Sequence, residues 1–145
     1  MKLIAATVML LVVNGVAQTP AGWQIMKDKK QLCQIAVPAG WTADKIMVSS
    51  LTAPDKKASL IFSNKPASAT YADIVKMAKD MFKPSKTFED GPARTWFQSA
   101  PEAKKGITWY EAISSAPVCE VQIQFQDPAF EASAKQIVNS LKAVK

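Results

Sequence analysis

Apolar and polar residues alternate at period two over several short stretches of this chain, and recur at helical spacing over two longer ones. Cys33, Ile35 and Val37 alternate with Gln34 and Ala36, the pattern of a strand that buries one face. The clearest strand is 118–126, where Cys119, Val121, Ile123 and Phe125 take one face and Glu120, Gln122, Gln124 and Gln126 the other. Further strands are predicted at 24–27, 46–51, 58–62, 87–89, 93–98 and 107–114, parted by turn formers such as Pro54-Asp55-Lys56-Lys57 and Asp90-Gly91-Pro92. The spacing predicts a helix over 71–83. Thr70 is placed to cap it, Asp73 follows three residues on, and Pro84 ends it. Tyr71, Ile74, Val75, Ala78, Met81 and Phe82 fall on one arc of that helix, with Met77 at its border. A second helix opens at Asp127 and Pro128 and carries Phe130, Ala134, Ile137, Val138 and Leu141 on one stripe. Together these elements predict the α+β class: a mostly antiparallel sheet of five to seven strands packed with two main helices.

The beginning of the chain follows a different pattern. Met1 and Lys2 give a positive start, residues 3–13 are uncharged and apolar, and Gly15 and Ala17 are the small residues of a cleavage site. This predicts a secretory signal peptide over 1–17, followed by a single domain over 18–145. The apolar run is too short to span a bilayer comfortably, and no cysteine stands at the cleavage point to carry a lipid. The expectation is a periplasmic or secreted protein, bacterial in type, with no stable membrane anchor after cleavage. Export changes the meaning of the two cysteines. Cys33 and Cys119 both follow the cleavage site, and an even pair in an oxidising compartment reads as one disulfide. The alternative, a catalytic or redox thiol, has no CxxC spacing to support it.

Composition narrows the chemistry. At 145 residues and 48% hydrophobic, the chain is long and apolar enough for one real core. It contains no histidine, which excludes Ser-His-Asp and Cys-His nucleophile systems and the common zinc and copper sites. No phosphate-cradling glycine motif is present, and no cofactor or metal is expected. The net charge of +6 raises the question of nucleic acid. Distribution argues against it: the lysines are scattered in pairs, Lys76, Lys79 and Lys83 share a helix face with Asp73 and Asp80, and Arg94 is the single arginine.

The order of landmarks resembles the PsbP-like fold family. Ile35-Ala36-Val37-Pro38-Ala39-Gly40-Trp41 is similar to that family's V-P-x-G-W turn at the end of a strand. A mid-chain helix follows, then tryptophan-bearing strands at Trp96 and Trp109, and Ile137-Val138-Asn139-Ser140-Leu141 is similar to the family's I-x-x-S-L finish. The resemblance covers nearly all of 18–145 and implies an α/β/α sandwich. The family includes an extrinsic photosystem II subunit, a Ran-binding import factor and exported bacterial proteins of unknown role. Its members do unlike jobs, so it transfers no activity. The histidines linked to the photosystem role have no counterpart here.

Glu111 is the acid that the pattern singles out. It shares a strand phase with Ile107, Trp109 and Ile113. Matching apolar faces across a hairpin turning near 115–117 sets Ile107 opposite Phe125, Trp109 opposite Ile123 and Glu111 opposite Val121. A carboxylate so placed is partly desolvated, and Arg94 is the expected cationic partner. The plain reading is a structural ion pair, or a strand whose other phase is the buried one. The functional reading is a ligand-binding or acid–base carboxylate. Trp41, Trp96 and Trp109 are expected as core and edge packing, or as the lining of a cleft.

These observations lead to an exported accessory protein that binds an unidentified protein partner or small ligand and catalyses nothing. Its expected surface is a sheet edge or a groove near Trp41, Arg94, Trp96, Trp109 and Glu111. Two alternatives stand beside it. One is a carrier enclosing a small apolar ligand among the strand aromatics. The other is a carboxylate-dependent enzyme centred on Glu111, which needs a second acid within reach, and no such pair is visible in the sequence.

Overall fold

A computed structural model describes residues 19–44, 50–100 and 106–145. The predicted signal segment and most of the strand predicted at 46–51 lie outside the described residues.

The described chain is α+β. It runs through β1 (Trp23–Lys27), β2 (Cys33–Pro38), β3 (Thr42–Ala43), β4 (Ser50–Thr52), β5 (Ala58–Asn64), α1 (Tyr71–Phe82), β6 (Pro84–Asp90) and β7 (Arg94–Ser99). After these come β8 (Thr108–Ser115), β9 (Val118–Phe125), α2 (Glu131–Ser140) and β10 (Lys142–Ala143). The strands divide between two antiparallel sheets rather than one. A seven-stranded sheet has the order β3-β4-β5-β9-β8-β7-β6, and β1-β2-β10 form a small second sheet.

The large sheet is covered on both faces. On one face Leu60, Phe62, Tyr110, Ala112, Val121, Ile123 and Phe125 meet Ile35 and Val37 of β2 and Ala134, Ile137 and Val138 of α2 in the main core. On the other, Ile74 and Ala78 of α1 rest on Phe97 and Ile113. Strand β8 lies between the two cores, so both of its phases are buried: Tyr110 and Ala112 one way, Glu111 and Ile113 the other.

Three local devices tie the layers together. Cys33 of β2 and Cys119 of β9 form a disulfide with a Cα–Cα distance of 5.9 Å, joining the two sheets. The Ser140 hydroxyl accepts from the Ala36 N–H at 2.7 Å and donates to the Ile137 carbonyl at 2.6 Å, so the end of α2 is fastened to the middle of β2. This gives the serine of the closing motif a structural task. The Asp28 carboxylate, 5% exposed, accepts from the backbone N–H groups of Lys30, Leu32 and Cys33 and shapes the turn that leads into the disulfide.

Thr70 caps α1 as predicted, accepting from the Asp73 N–H at 3.2 Å. Lys83 closes the helix with a left-handed φ of 48°, and Pro84 then opens β6 directly. A proline is tolerated there because β6 is an edge strand. Asp127 caps a short 3₁₀ turn, Pro128–Phe130, and α2 begins only after it. Met77 and Met81, read from the sequence as bordering or joining the apolar arc of α1, are instead 47% and 64% exposed. The helix is shallowly seated, and its arc of contact is narrower than the run of apolar residues. Among the described residues no helix is long and apolar enough to cross a membrane.

Candidate functional site

The strand that carries Glu111 pairs one residue away from the register that apolar matching predicts. Glu111 faces Gln122, Tyr110 faces Ile123, and Trp109 faces Gln124. The cause is the double burial of β8. Its Tyr110/Ala112 phase joins the main core, which sends Trp109, Glu111 and Ile113 to the face that carries α1. A one-residue change of register moves every side chain to the other side of a sheet.

That change dissolves the cluster predicted from the sequence. Arg94 and Trp96 stay together on the main-core face, with the guanidinium 5.8 Å from the Trp96 ring. Arg94 does not meet Glu111: its Nε donates to Glu89 Oε2 at 2.7 Å and its Nη2 to Asn139 Oδ1 at 3.1 Å. Trp96 is interior, stacked on Phe88 at 4.4 Å. Trp109 is half-buried on the opposite face. No single groove contains all three tryptophans.

Glu111 finds a different partner. On the α1 face Glu120 lies diagonally across β9 from it, and Lys65 makes an ion pair with Glu120. Glu111 is 2% exposed and Glu120 5%. Burial first, and then hydrogen bonding and negative charge from Glu120, hold the Glu111 carboxyl well above the usual carboxylate range, with Lys65 and Gln122 opposing the shift. The second acid that the sequence reading found missing is therefore present. Glu120 follows the disulfide cysteine on the polar face of β9, and only the register reveals the pairing.

Trp41 belongs to another place. The chain leaves β2 through Pro38, Ala39 and Gly40, and Gly40 takes a left-handed φ of 88°. A Cβ there would meet Pro54 Cγ at 3.1 Å, so glycine serves both the turn and the close approach. Trp41 then tucks in at 5% exposure, its carbonyl accepting from Gln24 Nε2 at 2.9 Å. Its ring stacks on Phe130 of the 3₁₀ turn with centroids 5.7 Å apart. Above this pair the β2 turn, the β4–β5 turn and the start of α2 leave a depression of about 470 Å³. Pro38, Trp41, Ala53, Pro54 and Phe130 form its apolar walls, and Asp55, Lys57 and Asp127 stand at the rim.

A chain of ring contacts runs inward from this depression. Phe130 meets Phe125 at 5.7 Å, Phe125 meets Tyr110 at 5.4 Å, and Tyr110 meets both Trp96 at 5.8 Å and Phe88 at 5.5 Å. Edge-to-face contacts of this kind favour fixed ring positions. Trp41 and Trp96 are thus linked through the core but lie at different ends of it. The Tyr110 hydroxyl donates to Glu131 Oε1 at 3.2 Å, and burial together with the Glu131 charge pushes its pKa up to about 12. Among the described residues no group of three cysteine or acidic side chains is placed to hold a metal ion.

No family model matches the chain, and no curated protein does. Among solved structures, the chain is similar to the solution structure of cyanobacterial PsbP (CyanoP) from Synechocystis sp. PCC 6803, with a TM-score of 0.42 and 12% sequence identity. The alignment covers 92% of this chain and 98% of that one. No family is assigned. That protein shares its fold name with the family the sequence resembles, and the likeness gives this chain neither a role nor a site.

Proposed function

We propose that the protein is an exported accessory protein that binds a partner or a small ligand in the depression over Trp41 and Phe130, without catalysing a reaction. The carrying observation is the depression itself: an apolar floor of stacked rings between prolines, built from three connecting segments that the core holds in place. Binding sites concentrate in such concave, largely preformed, mostly apolar places with a few polar groups at the rim. Export is supported by the pattern of residues 1–17 and by the disulfide, which persists in oxidising compartments.

The carboxylate-enzyme reading gains a second acid but loses access. Glu111 and Glu120 lie under the packed face of the sheet, where a substrate would have to displace protein to reach them.

The test is a screen of small apolar ligands and short peptides against the protein, read by amide and indole NMR shifts. Binders are expected to move the Trp41 indole and the amides of Ala129 and Phe130. Ala129→Trp, which fills the depression from an exposed turn position, is expected to abolish those shifts with the melting temperature little changed. Shifts that map elsewhere, or that survive in the filled variant, would overturn the assignment.

A further inference from the structure

We infer that Glu111, Glu120 and Lys65 form a proton-dependent latch beneath α1: one proton held between the two carboxyls keeps the helix seated on the sheet, and its loss releases the helix.

The geometry places the latch at the helix's own footing. Ile74 and Ala78 of α1 rest on Phe97 and Ile113. Phe97 is the direct cross-strand neighbour of Glu111, and Ile113 is that of Glu120. Lys65 belongs to the segment that leads from β5 into the helix. Its backbone N–H donates to the Val118 carbonyl at 2.8 Å, and its ammonium pairs with Glu120. The chain entering α1 and the surface under α1 therefore meet at one cluster.

The charges there do not balance without a proton. Two carboxyls face one ammonium, so one proton makes the cluster neutral and its loss leaves one uncompensated negative charge. Nothing nearby answers that charge among the described residues. Phe97 and Ser99 of β7 are uncharged, and Arg94 is on the far face, engaged with Glu89 and Asn139. On α1, Lys76 pairs with Asp80, Lys79 pairs with Asp90 of β6, and Asp73 bonds Thr70. Gln122 of β9 and Ser63 of β5, the cross-strand neighbours of Glu111 and Glu120, are polar but carry no charge. Glu111 Oε1 is buried and has no hydrogen-bond partner, and Ser99 Oγ on the same sheet face is likewise unpartnered. A buried, unpaired charge is tolerated poorly, and the least resistance to water lies along the shallow α1 seat rather than through the main core.

The sign follows from linkage. The raised carboxyl holds its proton in the closed form and ionises more readily when water reaches it, so opening is favoured as pH rises through the closed-form value. Released, the helix uncovers Phe97 and Ile113.

Hydrogen exchange of α1 amides on the whole protein, divided by intrinsic rates at each pH, tests this. In the natural protein the opening constant is expected to be flat in acid and then to rise by up to about tenfold per pH unit. Glu111→Gln, which keeps the shape of the neutral acid, is expected to stay flat across the range. Lys65→Met removes the cation that opposes the raised Glu111 carboxyl, so its rise is expected to continue to higher pH before it levels off. A flat profile in the natural protein would overturn the latch, as would a Glu111→Gln profile that still rises. So would loss of protection in β5 and β9 at the same pH as in α1, since that marks global unfolding rather than release of one helix.

Discussion

The two faces of the seven-stranded sheet are built on different principles. The main-core face meets both a second sheet and α2, is crossed by the disulfide, and is filled by aliphatic side chains and a ladder of aromatic rings. The α1 face has a smaller apolar footing, Ile74, Ala78, Phe97 and Ile113 bordered by the half-buried Tyr71, Val75, Phe82 and Val118, set against a buried carboxyl pair and glutamines. One face is apolar and covalently tied. The other mixes apolar contact with groups that change charge. Regions with few buried apolar contacts are where proteins open first, so the contrast locates both the rigid frame and the element free to respond.

The largest expected effect breaks the rigid side. Replacing both cysteines, Cys33→Ala with Cys119→Ala, releases a crosslink spanning 86 positions and is expected to lower stability by about 4 kcal/mol in the loop-entropy description. Denaturant unfolding of the two forms measures it. A loss below about 1 kcal/mol would mean that packing alone holds the two sheets together.

A pair of substitutions weighs one face against the other. Ile137→Ala opens a cavity in the middle of the main core and is expected to destabilise by about 4 kcal/mol. Ile74→Ala, on the shallow helix footing, is expected to cost about 2 kcal/mol, because the neighbouring side chains can close over the gap. Equal losses would remove the distinction between the faces.

The smallest effect concerns the start of α1. The Tyr71 hydroxyl donates to the Gly91 carbonyl and shares a hydrogen bond with Thr95 Oγ1, both at 2.8 Å. Tyr71→Phe is expected to lose about 1 kcal/mol. Exchange should quicken in α1 and not in β9, and equal quickening in both would show that the helix and the main core unfold as one unit.

Several elements are legible in the alternation of single segments. Strand β9 is unmistakable because its two phases differ cleanly, apolar on one side and Glu or Gln on the other. The cap at Thr70 and the stop near Pro84 follow from the local chemistry of helix ends. Strand β8 shows the limit. Trp109 and Ile113 occupy one phase, Tyr110 and Ala112 the other, so its own pattern does not say which phase faces the main core. The predicted register, the Arg94 partner and the missing second acid all turned on that one ambiguity. The role of Asp28 is not legible in the sequence for a related reason: its three backbone donors come together only when the β1–β2 turn has closed.

The α+β class, the strand phases of β2 and β9, the ends of α1 and the core-facing positions of the two cysteines are all written in single segments of the chain. These are properties of segments, governed by periodicity and by residues adjacent in the chain. Tertiary structure decided the division into two sheets, the register of β8, the meeting of Glu111 with Glu120, and the depression over Trp41. Each of these depends on which distant segments share a burial site, and that competition is settled only by packing the whole chain at once.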